Sequence, residues 1–193
     1  MPGYGRSTGE ADFCGRSSQI ALQSTIKYLR SRSDIDSDKI AVSGLSCGAI
    51  VAGMIADKER LAAMILISGV YDFEDMYKKW QTPNWKLESA VMSYIEKAVT
   101  KDGGLKAAAS YRSALSNANQ FKMPILLLAG GKDRIVDDIQ SIELFKAVQL
   151  NGQSNKLVVT SEGGHMISYE DWVKEAIKFF GSSIKKTDSA LNK

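Results

Sequence analysis

The sequence predicts an α/β chain, a mostly parallel sheet with helices on both faces. Two observations carry that prediction. Short apolar runs stand far apart, the first of them apolar at nearly every position, as strands covered on both faces are. Between and after them lie longer stretches with helical spacing, and strands alternating with helices build a parallel sheet.

The elements follow in order. Residues 17–31, "SSQIALQSTIKYLRS", place Ile20, Leu22, Ile26 and Leu29 near helical spacing, with Ser17 or Ser18 as cap. After the polar break "SRSDIDSD", "KIAVSG" reads as the first strand and "GAIVAGMIADK" as a small-residue helix. "LAAMILISGV" is the second strand and "MPILLLAG" the third. The helix "IVDDIQSIELFKAVQLNG" stops at a glycine, "NKLVVTS" is the fourth strand, and "SYEDWVKEAIKFFG" is a closing helix also stopped by glycine. Residues 1–181 form one expected domain, and 182–193, "SSIKKTDSALNK", a polar solvated tail. From about 72 to 121 the alternation lapses: helical patches, two of three tryptophans and no convincing strand mark a helical insertion.

Composition narrows the classes of function. At 193 residues and 44% hydrophobic the chain fills one core. A net charge of +3 with scattered Lys and Arg offers no stripe for nucleic acid or an anionic membrane. No apolar run reaches the roughly 20 residues of a membrane span, and no secretory leader opens the chain, so a soluble protein is expected, cytoplasmic unless an upstream signal is missing. Cys14 and Cys47 have no metal-ligand spacing and can form at most one bridge. Neither a metal nor a cofactor is expected.

The chemistry concentrates at the end of the first strand. Gly44-Leu45-Ser46-Cys47-Gly48 is a GxSxG turn, in which glycines leave room for a tight strand-to-helix reversal that thrusts the serine out of the sheet. Functional residues of an open parallel sheet gather at its carboxyl edge. The backbone N–H of Cys47 could there donate to a developing oxyanion. A serine hydroxyl needs a base to take its proton, and the single histidine, His165 in "EGGHMI", follows the fourth strand. The acid is expected after the third strand at Asp133 in "GGKDRIVDD", with Asp137 or Asp138 as substitutes; a purely structural role for Asp133 would be to cap a helix starting near Ile135. The order Ser46, Asp133, His165 is nucleophile, acid, base.

On "PGYGRSTG" (2–9), "GLSCG", "GGKDRIV" and "EGGH", the chain resembles α/β-hydrolases of the prolyl-oligopeptidase-like and dienelactone-hydrolase-like branch. The resemblance implies a serine hydrolase of esters or short peptides with a catalytic triad of Ser46, Asp133 and His165. Dienelactone hydrolases carry cysteine at the elbow, where this chain has Ser46, so Cys47 is expected as a small buried residue. The helical insertion would roof the pocket, with Phe73, Tyr77, Trp80 and Trp85 as candidates for its apolar wall or for packing inside the cap. The resemblance also implies an N-terminally incomplete sheet, since the strands that precede the "GYGRS" loop in the family, and a second oxyanion donor with them, are absent. The bare edge would suit a homo-oligomer or a complementing chain.

Two rival readings are testable on the residues. As a dinucleotide-binding loop "GLSCGAIVAG" lacks GxGxxG spacing, and no tyrosine has Lys four residues later. A hydrolase-like chain without catalysis, serving as a binding or structural subunit, is the alternative that the missing strands favour.

Overall fold

In a computed structural model, which describes residues 1–85 and 87–191, the four apolar runs are four parallel strands. These are β1 (Ala41–Leu45), β2 (Ala63–Ile67), β3 (Ile125–Gly130) and β4 (Lys156–Thr160), side by side in chain order. The register pairs Ala41 with Ala63, Met64 with Ile125, and Leu126 with Lys156.

Period-two side chains split the core into two layers. Met64, Leu66, Ile125 and Leu127 face one layer, which packs against α1 (Arg16–Arg30) and α2 (Cys47–Gly53). Ala63, Ile65, Ile67, Leu126 and Leu128 face the other, covered by Ala176 and Phe179 of α7 (Tyr169–Leu191). Burial on both sides explains why β2 and β3 are apolar throughout, whereas β1 and β4 are not fully buried. Among the described residues β1 pairs on one side only, with β2.

The insertion between β2 and β3 is helical as expected: α3 (Phe73–Trp80), α4 (Ser89–Lys101), α5 (Leu105–Ser110) and a 3-10 segment, Ala114–Gln120. Asp72 caps α3 by accepting from the N–H of Asp75. The last helix between strands, α6 (Ile139–Val148), starts later than its periodicity suggests, because Asp133 and Asp137 first spend their side chains on the turns before it.

Two expectations are corrected. The helix after the elbow is seven residues long and then tightens into i→i−3 bonds, Ile55 N–H to Ala52 O and Ala56 N–H to Gly53 O, instead of running to Lys58. Conversely, Gly181 does not stop the closing helix, which continues to Leu191 where a polar tail was expected. One glycine costs a helix interior only about 1 kcal/mol, which a helix already packed onto the sheet through Ala176 and Phe179 tolerates. Residues 192–193 lie outside the described residues.

Candidate active site

All four strands point the same way, so their carboxyl ends deliver three loops to one edge of the sheet. Ser46 follows β1 with φ 52° and ψ −114°, a strained left-handed conformation for a non-glycine residue. It is held there by its own N–H, which donates to Ile67 O at 2.8 Å, and by its carbonyl, which accepts from Ala49 and Ile50. Of the two glycines flanking the turn, only the first is sterically required. A Cβ on Gly44 would stand 2.3 Å from Gly48 O and 2.7 Å from Ala49 N, whereas one on Gly48 would meet nothing within 4 Å.

His165 arrives on the loop after β4, which is sewn to the loop after β3. Gly131 N–H donates to Thr160 O at 2.9 Å and Lys132 N–H to Gly163 O at 2.8 Å. The imidazole Nε2 lies 2.9 Å from Ser46 Oγ, and Nδ1 lies 2.8 Å from Asp133 Oδ2. Asp133 is almost wholly buried, its side chain 2% exposed, while the imidazole keeps 16% of its surface. The carboxylate does both things that its position suggested. Oδ2 meets the histidine, and Oδ1 accepts from the N–H groups of Ile135 at 2.8 Å and Val136 at 3.0 Å. Those backbone bonds lock the carboxylate's rotamer toward His165. The alternative acids stand aside: Asp137 accepts from Lys79 Nζ at 2.8 Å and from Ile139 N–H. Burial, and then the charge of Asp137, push the Asp138 carboxyl above the usual carboxylate range.

The four aromatic candidates divide. Phe73 and Trp80 are buried in the core, and the Trp80 indole donates to Ile135 O at 2.6 Å, which is the second of the two roles open to them, packing inside the cap. Tyr77 is half-buried against Phe73. Trp85 is half-buried too, and with Asn84 it faces the Gly130–Asp133 loop across a cleft of about 700 Å³.

Cys47 is where the reading of the sequence fell shortest. It is half-buried and bonded to Cys14 in a disulfide that closes 33 residues of chain, with Cα atoms 5.5 Å apart. Two cysteines in the chain made the bridge possible, but nothing local places residue 14 beside residue 47. Also unforeseen was Arg112, 1% exposed, which grips the segment carrying Cys14: Nε donates to Phe13 O at 2.7 Å and Nη2 to Asp12 O at 2.8 Å. Tyr94 Oη accepts from the Phe13 N–H at 3.0 Å and bonds the hydroxyl of Tyr4. No sequence motif marks these residues; they come from the insertion and reach back roughly eighty to a hundred positions.

Residues 20–187 match the prolyl oligopeptidase family. The chain belongs to that family. It is 23% identical over 149 residues to the acylamino-acid-releasing enzyme of Sus scrofa, an alignment covering 76% of this chain and 20% of that protein. Among solved structures it resembles the Pyrococcus furiosus esterase Pf2001, with a TM-score of 0.67 at 20% identity over 94% of this chain and 66% of the other. It resembles a Mycobacterium tuberculosis puromycin-hydrolyzing peptidase more closely in shape, with a TM-score of 0.76 at 18% identity, covering 94% of this chain and 28% of that one. These likenesses establish the α/β-hydrolase fold. The chain spans about a fifth of the length of its curated relative. Among the described residues no helix is long and apolar enough to cross a membrane.

Proposed function

We propose that this chain carries a serine hydrolase site that cleaves carboxylic esters or short peptide amides through an acyl-enzyme. The observation that carries the reading is the placement of one imidazole between a strained serine and a buried carboxylate, at 2.9 and 2.8 Å. In the first half-reaction His165 Nε2 takes the proton of Ser46 Oγ as the oxygen attacks the carbonyl carbon. Asp133, fixed by two backbone N–H groups, holds Nδ1–H and stabilises the imidazolium that forms. The N–H of Cys47, at the head of α2, is the oxyanion donor this chain offers. His165 then returns the proton to the leaving group, and water repeats the sequence to free the acid.

Family membership and the likeness to an esterase and to peptidases support hydrolysis of this general kind. The test is hydrolysis of short-chain p-nitrophenyl esters by the whole chain, by Ser46→Ala and by His165→Ala. Turnover should fall by about four to six orders of magnitude in either variant. Equal rates in all three would end the proposal.

A second reading, a hydrolase-like chain that binds or builds rather than catalyses, is favoured by one observation. Among the described residues the strand leading to Ser46 pairs on one side only, an edge that a second copy or a complementing chain would fill. Absence of turnover together with a concentration-dependent change of mass would choose that reading.

A further inference from the structure

We propose that the Cys14–Cys47 disulfide is a thiol-reactive control site: an external dithiol opens it, the elbow loosens, and turnover at Ser46 falls until the bond re-forms. The effect on turnover rests on the reading of Ser46 as nucleophile; the loosening of the elbow does not.

The elbow is supported by the sheet from one side. It lies on β1, which among the described residues has a paired neighbour on one side alone. The helix behind it is only seven residues long, packed in the core from Ala49 to Gly53, and a Cβ on Gly48 would meet nothing within 4 Å. On the β2 side the Ser46 N–H is anchored to Ile67 O. From another direction comes the covalent tie at Cys47, the residue next to Ser46, whose N–H is the proposed oxyanion donor.

The far end of that tie is itself under tension. Phe13 and Cys14 have φ of 45° and 62°, a left-handed conformation that side chains of their size keep only when the surroundings hold them. Arg112 and Tyr94 grip the backbone of Asp12 and Phe13. Neither reaches the elbow. Beside the packing of α1 on α2, the disulfide carries the position of this braced segment directly to Cys47, so breaking it loosens the elbow's hold on its brace.

The chemistry balances with a dithiol as reductant. Cys14 is fully buried and Cys47 partly exposed, so a thiolate from outside attacks the Cys47 sulfur. A mixed disulfide forms there, the Cys14 sulfur leaves and takes a proton, and the second thiol of the reagent closes on the first to release Cys47. Two electrons and two protons pass from the dithiol to the protein, which ends with two thiols. A bond of this kind persists in oxidising surroundings and is transient where thiols are kept reduced.

The experiment compares the whole chain, oxidised and after dithiothreitol, by amide hydrogen exchange and by p-nitrophenyl butyrate hydrolysis. A Cys14→Ala/Cys47→Ala protein serves as the permanently open form. Reduction should speed exchange over residues 44–50 at least tenfold while β2 and β3 stay protected. It should lower kcat at least tenfold, and reoxidation should restore both; the double variant should match the reduced protein and ignore reductant. Unchanged exchange over 44–50 overturns the proposal, and so does exchange that rises throughout the sheet, since the bond would then be a staple of the whole fold. If no form hydrolyses the ester, the nucleophile reading and the control of turnover fail together, while exchange over 44–50 still decides whether the bond holds the elbow.

Discussion

Asp133 shows how one side chain serves two ends. Its Oδ1 is spent on the Ile135 and Val136 N–H groups, and that bond fixes the direction in which Oδ2 meets His165. Asparagine at this position can still accept those backbone bonds but presents an amide to the imidazole and favours the wrong tautomer. Asp133→Asn should therefore keep its thermal midpoint within a few degrees and lose about four orders of magnitude in ester kcat. Calorimetry beside the ester assay checks the split. Asp137→Asn, which touches Lys79 and not His165, should leave kcat within a few-fold.

At the scale of the element, the elbow divides its glycines unequally. An added methyl at Gly44 runs into the backbone of Gly48 and Ala49, atoms that no rotamer change can move. Gly44→Ala should destabilise by on the order of 3 kcal/mol, seen as a fall in the midpoint of about 2–4 °C per kcal/mol for a chain of this size. Gly48→Ala puts its methyl into open space inside a helix and should be neutral or stabilising by up to about 1 kcal/mol. Thermal unfolding of the two variants side by side distinguishes them. The motif as a string of letters treats the two glycines alike; the turn does not, because Gly44 lies under the helix and Gly48 lies on it.

For the whole molecule, Arg112 joins Tyr94 in tying the insertion to the N-terminal segment. Its guanidinium is buried, pairs with Asp102 at 2.6 Å, and satisfies carbonyls of Asp12, Phe13 and Ala108. Arg112→Met keeps the apolar stem but leaves those acceptors and the Asp102 carboxylate without their donor. We expect a loss of about 3–5 kcal/mol, measured by urea unfolding, with the segment 12–14 opening first by hydrogen exchange. If Arg112 were an ordinary surface cation the loss would stay within about 1 kcal/mol.

Much of this was legible in the residues alone. The four strands could be read, β2 and β3 most plainly, because those two are buried on both faces and so carry unbroken apolar runs. Ser46, Asp133 and His165 could be named because an open parallel sheet brings its carboxyl ends together, so chain order substitutes for geometry. The helical insertion was visible as a lapse in alternation. Local periodicity and topology are thus the features that the residues alone reveal. Tertiary structure alone decided the rest: that Phe73 and Trp80 are core, that the closing helix passes through Gly181, that Gly48 has space, and that Cys14 meets Cys47 under the grip of Arg112. Each of these depends on contacts between residues distant in the chain or on the space left around one atom. Such contacts leave no period in the sequence, because the energy that fixes them arises only once the sheet and its helices have closed.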